Sequence, residues 1–286
     1  MSPGGPELIW RCRDQAFDLS ARTLVMGVVN VTPDSFSDGG RFFAPGAAIA
    51  HARRLLAEGA DLLDLGAEST RPGAAPVGAA EQIRRLAPVL EALAADPRVC
   101  LAVDTASAGV AARALELGAR IVNDVTALGD PGMATVVADS GAGLVLMHLA
   151  GTPATMQQDP RYEDVAREVR GHLAARLEAA EAAGVPAERV ALDPGIGFGK
   201  TVLHNLELLA RIEELEPLGR PLMIGVSRKS FLGKALDLPV DQRLEGGLAA
   251  SAIAVFLGAR IVRTHDVAAT VRAVRIADAL RGARRP

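Results

Sequence analysis

The residues that could do chemistry in this chain stand at regular intervals, each just after a short apolar run. Six of these positions carry hydrogen-bond acceptors and the last two carry cations. In chain order they are Asn30, Asp64, Asp104, Asn123, His148, Asp193, Ser227 with Lys229, and Arg263 with His265. Buried acceptors need hydrogen-bond donors facing them. The first six positions therefore predict a ligand that presents N–H groups, and the last two predict an anion.

The acceptors favour one particular ligand shape. A flat heterocycle with an amino-pyrimidine edge has two parallel N–H donors, which a single carboxylate can accept together. Asp104, Asn123 and Asp193 follow the third, fourth and sixth apolar runs. A helix cap or an ion pair explains any one of the aspartates, but the three residues together favour a shared ligand.

The cations and Asn30 predict a second half of the site. In a closed barrel the seventh and eighth strands lie beside the first, so Lys229, Arg263 and His265 are expected to flank Asn30. This arrangement is typical of a phosphate site next to a metal ligand, and it predicts Mg²⁺ bound through the Asn30 side-chain oxygen. The alternative for Asn30 is an amide that caps its own loop.

Alternating strands and helices must position these residues. Apolar runs rich in Val, Leu and Ile predict strands over 24–30, 61–65, 99–104, 120–123, 143–148, 189–193, 221–226 and 260–263. Apolar residues at helical spacing predict helices over 46–58, 79–95, 107–117, 131–140, 161–183, 202–215, 241–257 and 266–282. Strand-helix units at roughly 30-residue spacing favour a (β/α)8 TIM barrel over an open doubly wound sheet.

The amino-terminal part stands apart from this alternation. Segments 7–12 and 15–19 alternate weakly and predict a small β-hairpin across Arg13-Asp14 that covers the bottom of the core. No linker or break in composition divides the rest. The chain is therefore expected to be a single domain over 1–286, with 1–22 as an amino-terminal extension carrying the hairpin.

Three loops carry further signals. The stretch 193–201 (DPGIGFGKT) imitates a phosphate loop but has Pro194 at the first glycine position, so its glycines are expected to let the backbone pass close to a ligand. Ser230 follows the seventh strand, where it either caps a short helix or helps backbone amides to bind a carboxylate. Loops 31–41 and 67–77 are rich in Gly, Ser and Pro and are expected to close over the ligand.

Composition excludes several classes of protein. The chain has 286 residues, a net charge of −3 and 3% aromatic residues, which leaves no basic face and no stacking surface for nucleic acid. No apolar run reaches about 18 residues, so no membrane span is expected. Cys12 and Cys100 lack metal-ligand spacing and are expected to be core residues. The amino terminus lacks a signal-peptide pattern, and a cytoplasmic location is expected.

The stretch NVTPDSFSDGG at 30–40 resembles the signature of the dihydropteroate synthases, folate-pathway enzymes of the pterin-binding family. The resemblance continues at ESTRPG, VDT, NDV, LMH, DPGIGFGK, SRKS and RTHDV. It covers nearly the whole chain from about residue 24 onward. It implies condensation of 6-hydroxymethyl-7,8-dihydropterin pyrophosphate with p-aminobenzoate to give 7,8-dihydropteroate and pyrophosphate. It also implies a homodimer and a target of sulfonamides.

The resemblance assigns the pterin ring to Asp104, Asn123, Asp193 and Lys229. Met147 looks like an apolar contact of that ring, although core packing explains a methionine equally well.

The second substrate is assigned, by the same resemblance, to the loops. Phe198 would form an apolar wall for p-aminobenzoate, and the region of Ser230 would receive its carboxylate. Thr70 and Arg71 would lie near the pyrophosphate and the amine, although an exposed arginine is the alternative for Arg71.

Catalysis would then consist of positioning and charge stabilisation of the leaving pyrophosphate. Arg263 and His265, together with Mg²⁺, would stabilise the leaving group, and Lys229 and Asp104 complete the predicted catalytic set. No covalent enzyme intermediate is needed.

Two other functions stay open at this point. A methyltetrahydrofolate-binding methyltransferase domain of the same superfamily would keep the pterin acceptors but has no use for Lys229-Ser230 and Arg263-His265 as an anion set. A catalytically silent paralogue that binds pterin would keep every motif. A turnover assay separates it from an enzyme.

Overall fold

The computed structural model describes residues 7–32, 45–68, 77–152 and 155–284. Within these ranges a sheet of eight strands bends into a ring with helices outside it. In chain order its strands are β3 (Leu24–Asn30), β4 (Leu62–Gly66), β5 (Cys100–Asp104), β6 (Ile121–Asp124), β7 (Gly143–Met147), β8 (Val190–Asp193), β9 (Met223–Gly225) and β10 (Ile261–Thr264).

The pairing of the strands closes the ring. Neighbouring strands run parallel in the order β8-β7-β6-β5-β4-β3-β10-β9. A parallel bridge between Leu192 and Leu222 joins the two ends, and the Leu192 N–H donates to the Pro221 carbonyl at 2.9 Å. The predicted (β/α)8 barrel is therefore confirmed. Strand β9 is shorter than the predicted 221–226 in part because Pro221 has no N–H to give to the ladder.

The helices of the described ranges follow the strands in alternation. They are α1 (Pro45–Ala57), α2 (Ala79–Ala94), α3 (Ala108–Glu116), α4 (Met133–Ser140), α5 (Val165–Ala182), α6 (Val202–Ala210), α7 (Ser230–Leu236), α8 (Leu244–Phe256) and α9 (Val267–Gly282). None of these helices is long and apolar enough to cross a membrane.

Helices α5 and α6 differ most from their predicted bounds. Helix α5 starts at Val165 rather than near 161, because the Asp164 side chain caps it by accepting the Arg167 N–H at 3.0 Å. The helix predicted over 202–215 ends at Ala210, and a 3-10 turn takes over at Ile212–Leu218. Pro217 in that turn has no N–H to donate, which disfavours a longer α-helix there.

The hairpin of β1 (Ile9–Cys12) and β2 (Gln15–Asp18) closes the amino-terminal end of the barrel, as predicted. Trp10, Cys12 and Leu19 are fully buried against the first inward residues of the barrel strands. The Trp10 indole N–H donates to the carbonyl of Arg189 at 2.9 Å, so its one polar atom is satisfied. Cys100 lies in the same cluster, and both cysteines are free and buried.

Strand periodicity places the chemistry at the opposite end of the interior. Successive side chains of a strand alternate between the two faces of the sheet. Leu62, Ala102, Ile121, Ala191 and Ile261 belong to the apolar interior cluster. The residues two positions further on face the same way and form a polar layer, which consists of Asp64, Asp104, Asn123, Asp193 and Arg263. The carboxyl-terminal mouth of the barrel, where such folds carry their sites, is therefore polar.

Candidate active site

Arg263 forms ion pairs with Asp64 and Asp104 in the polar layer, and we call these three residues the Arg263 clasp. Its Nε donates to Asp64 Oδ2 at 2.6 Å and its Nη2 donates to Asp104 Oδ2 at 2.8 Å. Burial alone would lower the pKa of Arg263, but the two carboxylates outweigh it and raise that pKa. The guanidinium is therefore charged throughout the working pH range. Asp64 was recognised only as a strand end in the sequence. Like Asp104 and Arg263, Asp64 stands two positions after an inward-facing apolar residue of its strand, and this shared position was the signal that could have placed it in the site.

Asp104 shares this clasp, and its surroundings shift the pKa of its carboxyl upward. Burial raises its pKa to about 7, against the opposing attraction of Arg263. The neighbouring carboxylate of Asp64 pushes in the same direction as burial. The charge on Asp104 is therefore sensitive to anything that moves Arg263.

Asn123 is tied to the same clasp. Its Nδ2 donates to Asp64 Oδ2 at 3.0 Å, and both side chains are buried, at 2% and 0% exposure. In the described part of the chain neither Asp64 Oδ1 nor Asn123 Oδ1 meets a hydrogen-bond donor. A buried acceptor without a donor is costly, so these two oxygens mark where a ligand with N–H groups would be stabilised.

Asp193 is the first residue of the stretch 193–201 (DPGIGFGKT), which we call the glycine loop. Its Oδ1 accepts the Gly195 N–H at 2.7 Å. Burial raises the pKa of Asp193, and the positive charge of Lys229 opposes that rise. Gly195, Gly197 and Gly199 have φ of 67°, 85° and 61°, a backbone region that favours glycine. A Cβ on Gly195 would overlap the carbonyl of His148, so the close approach seen at this glycine is to protein. The expected close passage of this backbone to a ligand stays a prediction.

Lys229 reaches across to the same loop. Its Nζ donates to the Ile196 carbonyl and lies 4.5 Å from the centre of the Phe198 ring, a cation–π contact. Burial lowers the pKa of Lys229 to about 8, although Asp193 pulls the other way. Lys229 is also the residue before α7, and Ser230 is the exposed first residue of that helix. Ser230 as the helix cap is therefore wrong.

Lys200 binds two carbonyls of the glycine loop, and the sequence had suggested no role for it. It is 3% exposed, and its Nζ donates to the carbonyls of Gly195 and Phe198 at 2.9 and 3.0 Å. His148 Nδ1 lies 2.9 Å from the same nitrogen. Burial lowers the pKa of Lys200 to about 7, and burial together with Lys200 lowers that of His148 to about 2. His148 is therefore neutral and acts as an acceptor, as its place among the acceptors predicted.

The loops after β9 and β10 are linked to each other. The Ser227 hydroxyl accepts the backbone N–H of His265 at 3.3 Å and lies 3.1 Å from His265 Nδ1. Arg228 pairs with Asp266 at 2.6 Å. A hydroxyl that already accepts the backbone N–H can donate its own proton to Nδ1. That assignment leaves the imidazole proton on Nε2, where it can be donated to an anion.

Comparison with known proteins agrees with this geometry. Residues 26–265 match the model of a family described as pterin binding enzymes. The chain belongs to this family of pterin-binding enzymes. It is 44% identical over 255 residues to the dihydropteroate synthase of Escherichia coli, covering 89% of this chain and 90% of that one.

Solved structures of the same family superpose closely on the barrel. The dihydropteroate synthase of Yersinia pestis, in a complex with a sulfonamide drug, matches with a TM-score of 0.91 and 44% identity, over 96% of this chain and all of that one. The enzyme of Xanthomonas albilineans with 4-aminobenzoic acid matches with a TM-score of 0.89 and 45% identity, over 96% and 98% of the two chains.

The pterin-binding set predicted from the sequence forms two connected groups in the structure. Asp104 and Asn123 are joined through the Arg263 clasp. Asp193 and Lys229 are joined through the glycine loop. Met147 is buried at 3% exposure, and its strand pairs with Asp193.

Asn30 suits a role as a ligand oxygen at the end of β3. It is half-buried, and its side chain makes no hydrogen bond to any residue that the structure describes. One neutral oxygen is a weak anchor for Mg²⁺, which keeps several waters and usually completes its shell from substrate phosphates. The donor set therefore fits a metal that arrives with the substrate.

Thr70 and Arg71 lie outside the described residues, as do most of the loops at 31–41 and 67–77. Glu68 and Val77, at the two ends of the second loop, belong to the described residues. Glu68 accepts the Val77 N–H and the Gln82 side-chain N–H, both at 3.0 Å. A single carboxylate therefore holds together the two ends of the segment that carries Thr70 and Arg71.

Proposed function

We propose that this chain catalyses the dihydropteroate synthase reaction of folate biosynthesis. The aromatic amine of p-aminobenzoate attacks the methylene carbon of 6-hydroxymethyl-7,8-dihydropterin pyrophosphate. The C–O bond breaks as the C–N bond forms, and pyrophosphate leaves with the bonding electrons. The amine gives up a proton to solvent or to the departing pyrophosphate. The observation that carries the proposal is the layer of buried acceptors at the barrel mouth. Among the residues that the structure describes, Asp64 Oδ1 and Asn123 Oδ1 in this layer meet no donor, and Arg263 lies beside them.

The pterin binds to the polar layer. Asp193, Asp104 and Asn123 supply acceptors for its N–H groups. Their burial supports strong hydrogen bonds, since these are charge-assisted and water is excluded. Lys229 completes this side of the ring, and Met147 supplies an apolar contact.

The second substrate lies over the glycine loop. Phe198 is half-buried and forms its wall, held by Lys229 on one side and by the Lys200 hydrogen bond to its carbonyl on the other. The carboxylate of p-aminobenzoate meets the backbone amides at the start of α7, beside the exposed Ser230. Thr70 and Arg71 approach from the second loop.

Arg263 and His265 stabilise the leaving pyrophosphate as its charge grows. His265 donates from Nε2, the tautomer that the Ser227 hydroxyl favours. Asn30 offers its side-chain oxygen to Mg²⁺, and the metal, when bound, supplies positive charge to the pyrophosphate oxygens. Lys229 and Asp104 complete the catalytic set by holding the ring against this pyrophosphate site.

The enzyme is proposed to be a single-domain homodimer of the cytoplasm. Ile253 on α8 and Ile276 and Leu280 on α9 are 56%, 64% and 56% exposed, which supports an apolar contact between copies on these helices. Two free, buried cysteines suit a reducing compartment. Sedimentation of Ile276→Glu tests the dimer, since a charge there should favour the monomer.

The deciding experiment measures pyrophosphate release from the dihydropterin pyrophosphate with and without p-aminobenzoate. Release that depends on the amine and is suppressed by a sulfonamide supports the proposal. A silent paralogue would bind pterin without release, and a methyltransferase domain would show no response to p-aminobenzoate. Asp193→Ala, assayed beside the wild type, should remove most of the release.

A further inference from the structure

The side-chain amide of Asn123 is locked in one orientation by Asp64. Asp64 Oδ2 accepts from Asn123 Nδ2 at 3.0 Å and from Arg263 Nε at 2.6 Å. The same carboxylate oxygen faces two donors, the Asn123 amide N–H and the Arg263 guanidinium N–H, so it acts as the acceptor of both hydrogen bonds. Rotating the amide by half a turn would bring Asn123 Oδ1 against Asp64 Oδ2, two acceptors in contact inside a buried layer. That arrangement is strongly disfavoured.

The lock decides what Asn123 presents to the site. Because Asp64 holds the nitrogen of Asn123, the atom that Asn123 can offer to a ligand is Oδ1. This oxygen is buried and meets no donor in the described part of the chain. A free asparagine could turn to suit either a donor or an acceptor, because its two ends are nearly equal in shape. In this site Asn123 can therefore pair only with a ligand group that donates a hydrogen bond.

We propose that Asp64 is a specificity-determining positioning residue, which makes the site select a pteridine with an amino group over one with an oxo group at the same ring position. The inference rests on the proposed function, since it assumes a pteridine in the polar layer. The amino group donates to the oriented Asn123 Oδ1. An oxo group would place a third acceptor beside Asn123 and Asp64, and the amide could not turn to accommodate it. Asp64 acts through Asn123 and needs no contact with the ligand.

The test compares pterin with lumazine, in which an oxo group replaces the amino group of pterin. Their affinities are measured by calorimetry for the wild type, Asp64→Leu and Asp64→Asn. Leucine is close to aspartate in shape but has no acceptor, so the amide of Asn123 becomes free to turn. Asparagine keeps one acceptor oxygen for Arg263 and Asn123.

We expect the wild type to prefer pterin. The ratio of the two affinities should fall by roughly 10- to 100-fold in Asp64→Leu, the effect of one buried mismatch. In Asp64→Asn the ratio should stay within about threefold of the wild type. A purely structural role of Asp64 would weaken both ligands equally, and an unchanged ratio in Asp64→Leu overturns the inference.

Arg263→Gln is the matched control, because it removes the other partner of Asp64 and leaves the contact with Asn123 in place. Both ligands should weaken by similar factors in this variant. If Arg263→Gln alone abolishes the preference, then the arginine and not Asp64 determines the selection, and the inference is wrong.

A measurement on the wild type covers the case in which Asp64→Leu fails to fold. In the amide NMR spectrum of the free protein, the two Nδ2 protons of Asn123, assigned by their loss in Asn123→Ser, should be widely separated, with one shifted downfield by the carboxylate. Two protons at ordinary solvent-exposed positions overturn the inference. Wild type that binds neither pteridine contradicts the proposed function instead, so the two failures are distinguishable.

Discussion

Replacing Arg263 by lysine tests whether the shape of the guanidinium matters in addition to its charge. Arg263 donates from two different nitrogens to carboxylates on two different strands, Asp64 at 2.6 Å and Asp104 at 2.8 Å. A lysine has one nitrogen on a flexible stem and cannot reproduce this fork. We therefore expect Arg263→Lys to lose rate although the formal charge of the site is kept.

The size of the effect follows from the bonds that are lost. One of the two charge-assisted hydrogen bonds disappears, which corresponds to about 1.5–3 kcal/mol. If that loss appears in the transition state, kcat/KM falls by about 10- to 150-fold. The carboxylate left without its partner remains buried, since Asp64 is fully buried and the Asp104 side chain is 12% exposed. The free energy of unfolding should therefore also decrease by a few kcal/mol at most, near the range for breaking a buried pair.

The assay is steady-state pyrophosphate release, with urea denaturation of the same samples. Arg120→Lys is the control for losing a guanidinium fork outside the site, because Arg120 also donates from Nε and Nη2, but to the single and largely exposed carboxylate of Asp14. Its rate should stay near that of the wild type, and its stability should change by less than about 1 kcal/mol. An Arg263→Lys enzyme with kcat/KM within threefold of the wild type would refute the reasoning, because a single charge would then be enough.

Three further substitutions test separate parts of the site. Asp193→Ala should weaken binding of a dihydropterin analogue by roughly 2–4 kcal/mol in calorimetry, and unchanged affinity would remove Asp193 from the ring contacts. Asn30→Ala should lose rate together with its response to Mg²⁺ concentration, whereas a wild-type metal response means that the metal binds elsewhere. Burial lowers the pKa of Lys200 to about 7 from an ordinary value of 10.5. Between these two values the unfolded chain binds one more proton than the folded chain, so the free energy of unfolding increases as pH rises through that window. Lys200→Met lacks this increase. Urea unfolding at about pH 7 and about pH 9.5 should therefore show that the stability of the wild type relative to the variant is greater at the higher pH. An equal difference at both pH values would contradict the burial of a titrating amine.

The barrel could be predicted from the sequence because its signals are local. Each strand is a short apolar run and each helix has its own periodicity, so neither depends on distant residues. The polar strand ends were visible for the same reason. The errors fall where local signals compete, as at Ile212–Leu218, where a 3-10 turn replaced the end of a predicted helix.

The partners within the polar layer could not be predicted in this way. Asn123 and Asp64 are 59 residues apart, and Arg263 and Asp64 are 199 apart. Each of these residues has several chemically reasonable partners, and only the closure of the barrel selects among them. Lys200 was overlooked because a lysine is ordinarily exposed, and nothing in the local sequence reveals that two loop carbonyls and His148 surround it.

The two cations of the site, Arg263 and Lys229, differ in how firmly they are held, and this difference bears on how the site works. Arg263 is fixed by two carboxylates, so its position is set before any ligand binds. In the described part of the chain Asp193 and Lys229 share no direct hydrogen bond, since the carboxylate accepts a loop N–H and the ammonium donates to a loop carbonyl. A ligand can therefore engage Asp193 and Lys229 without breaking an ion pair between them, whereas engaging Asp104 must compete with Arg263. The Asp193 side should consequently contribute most to affinity for the ring, and the Arg263 clasp should contribute most to its orientation.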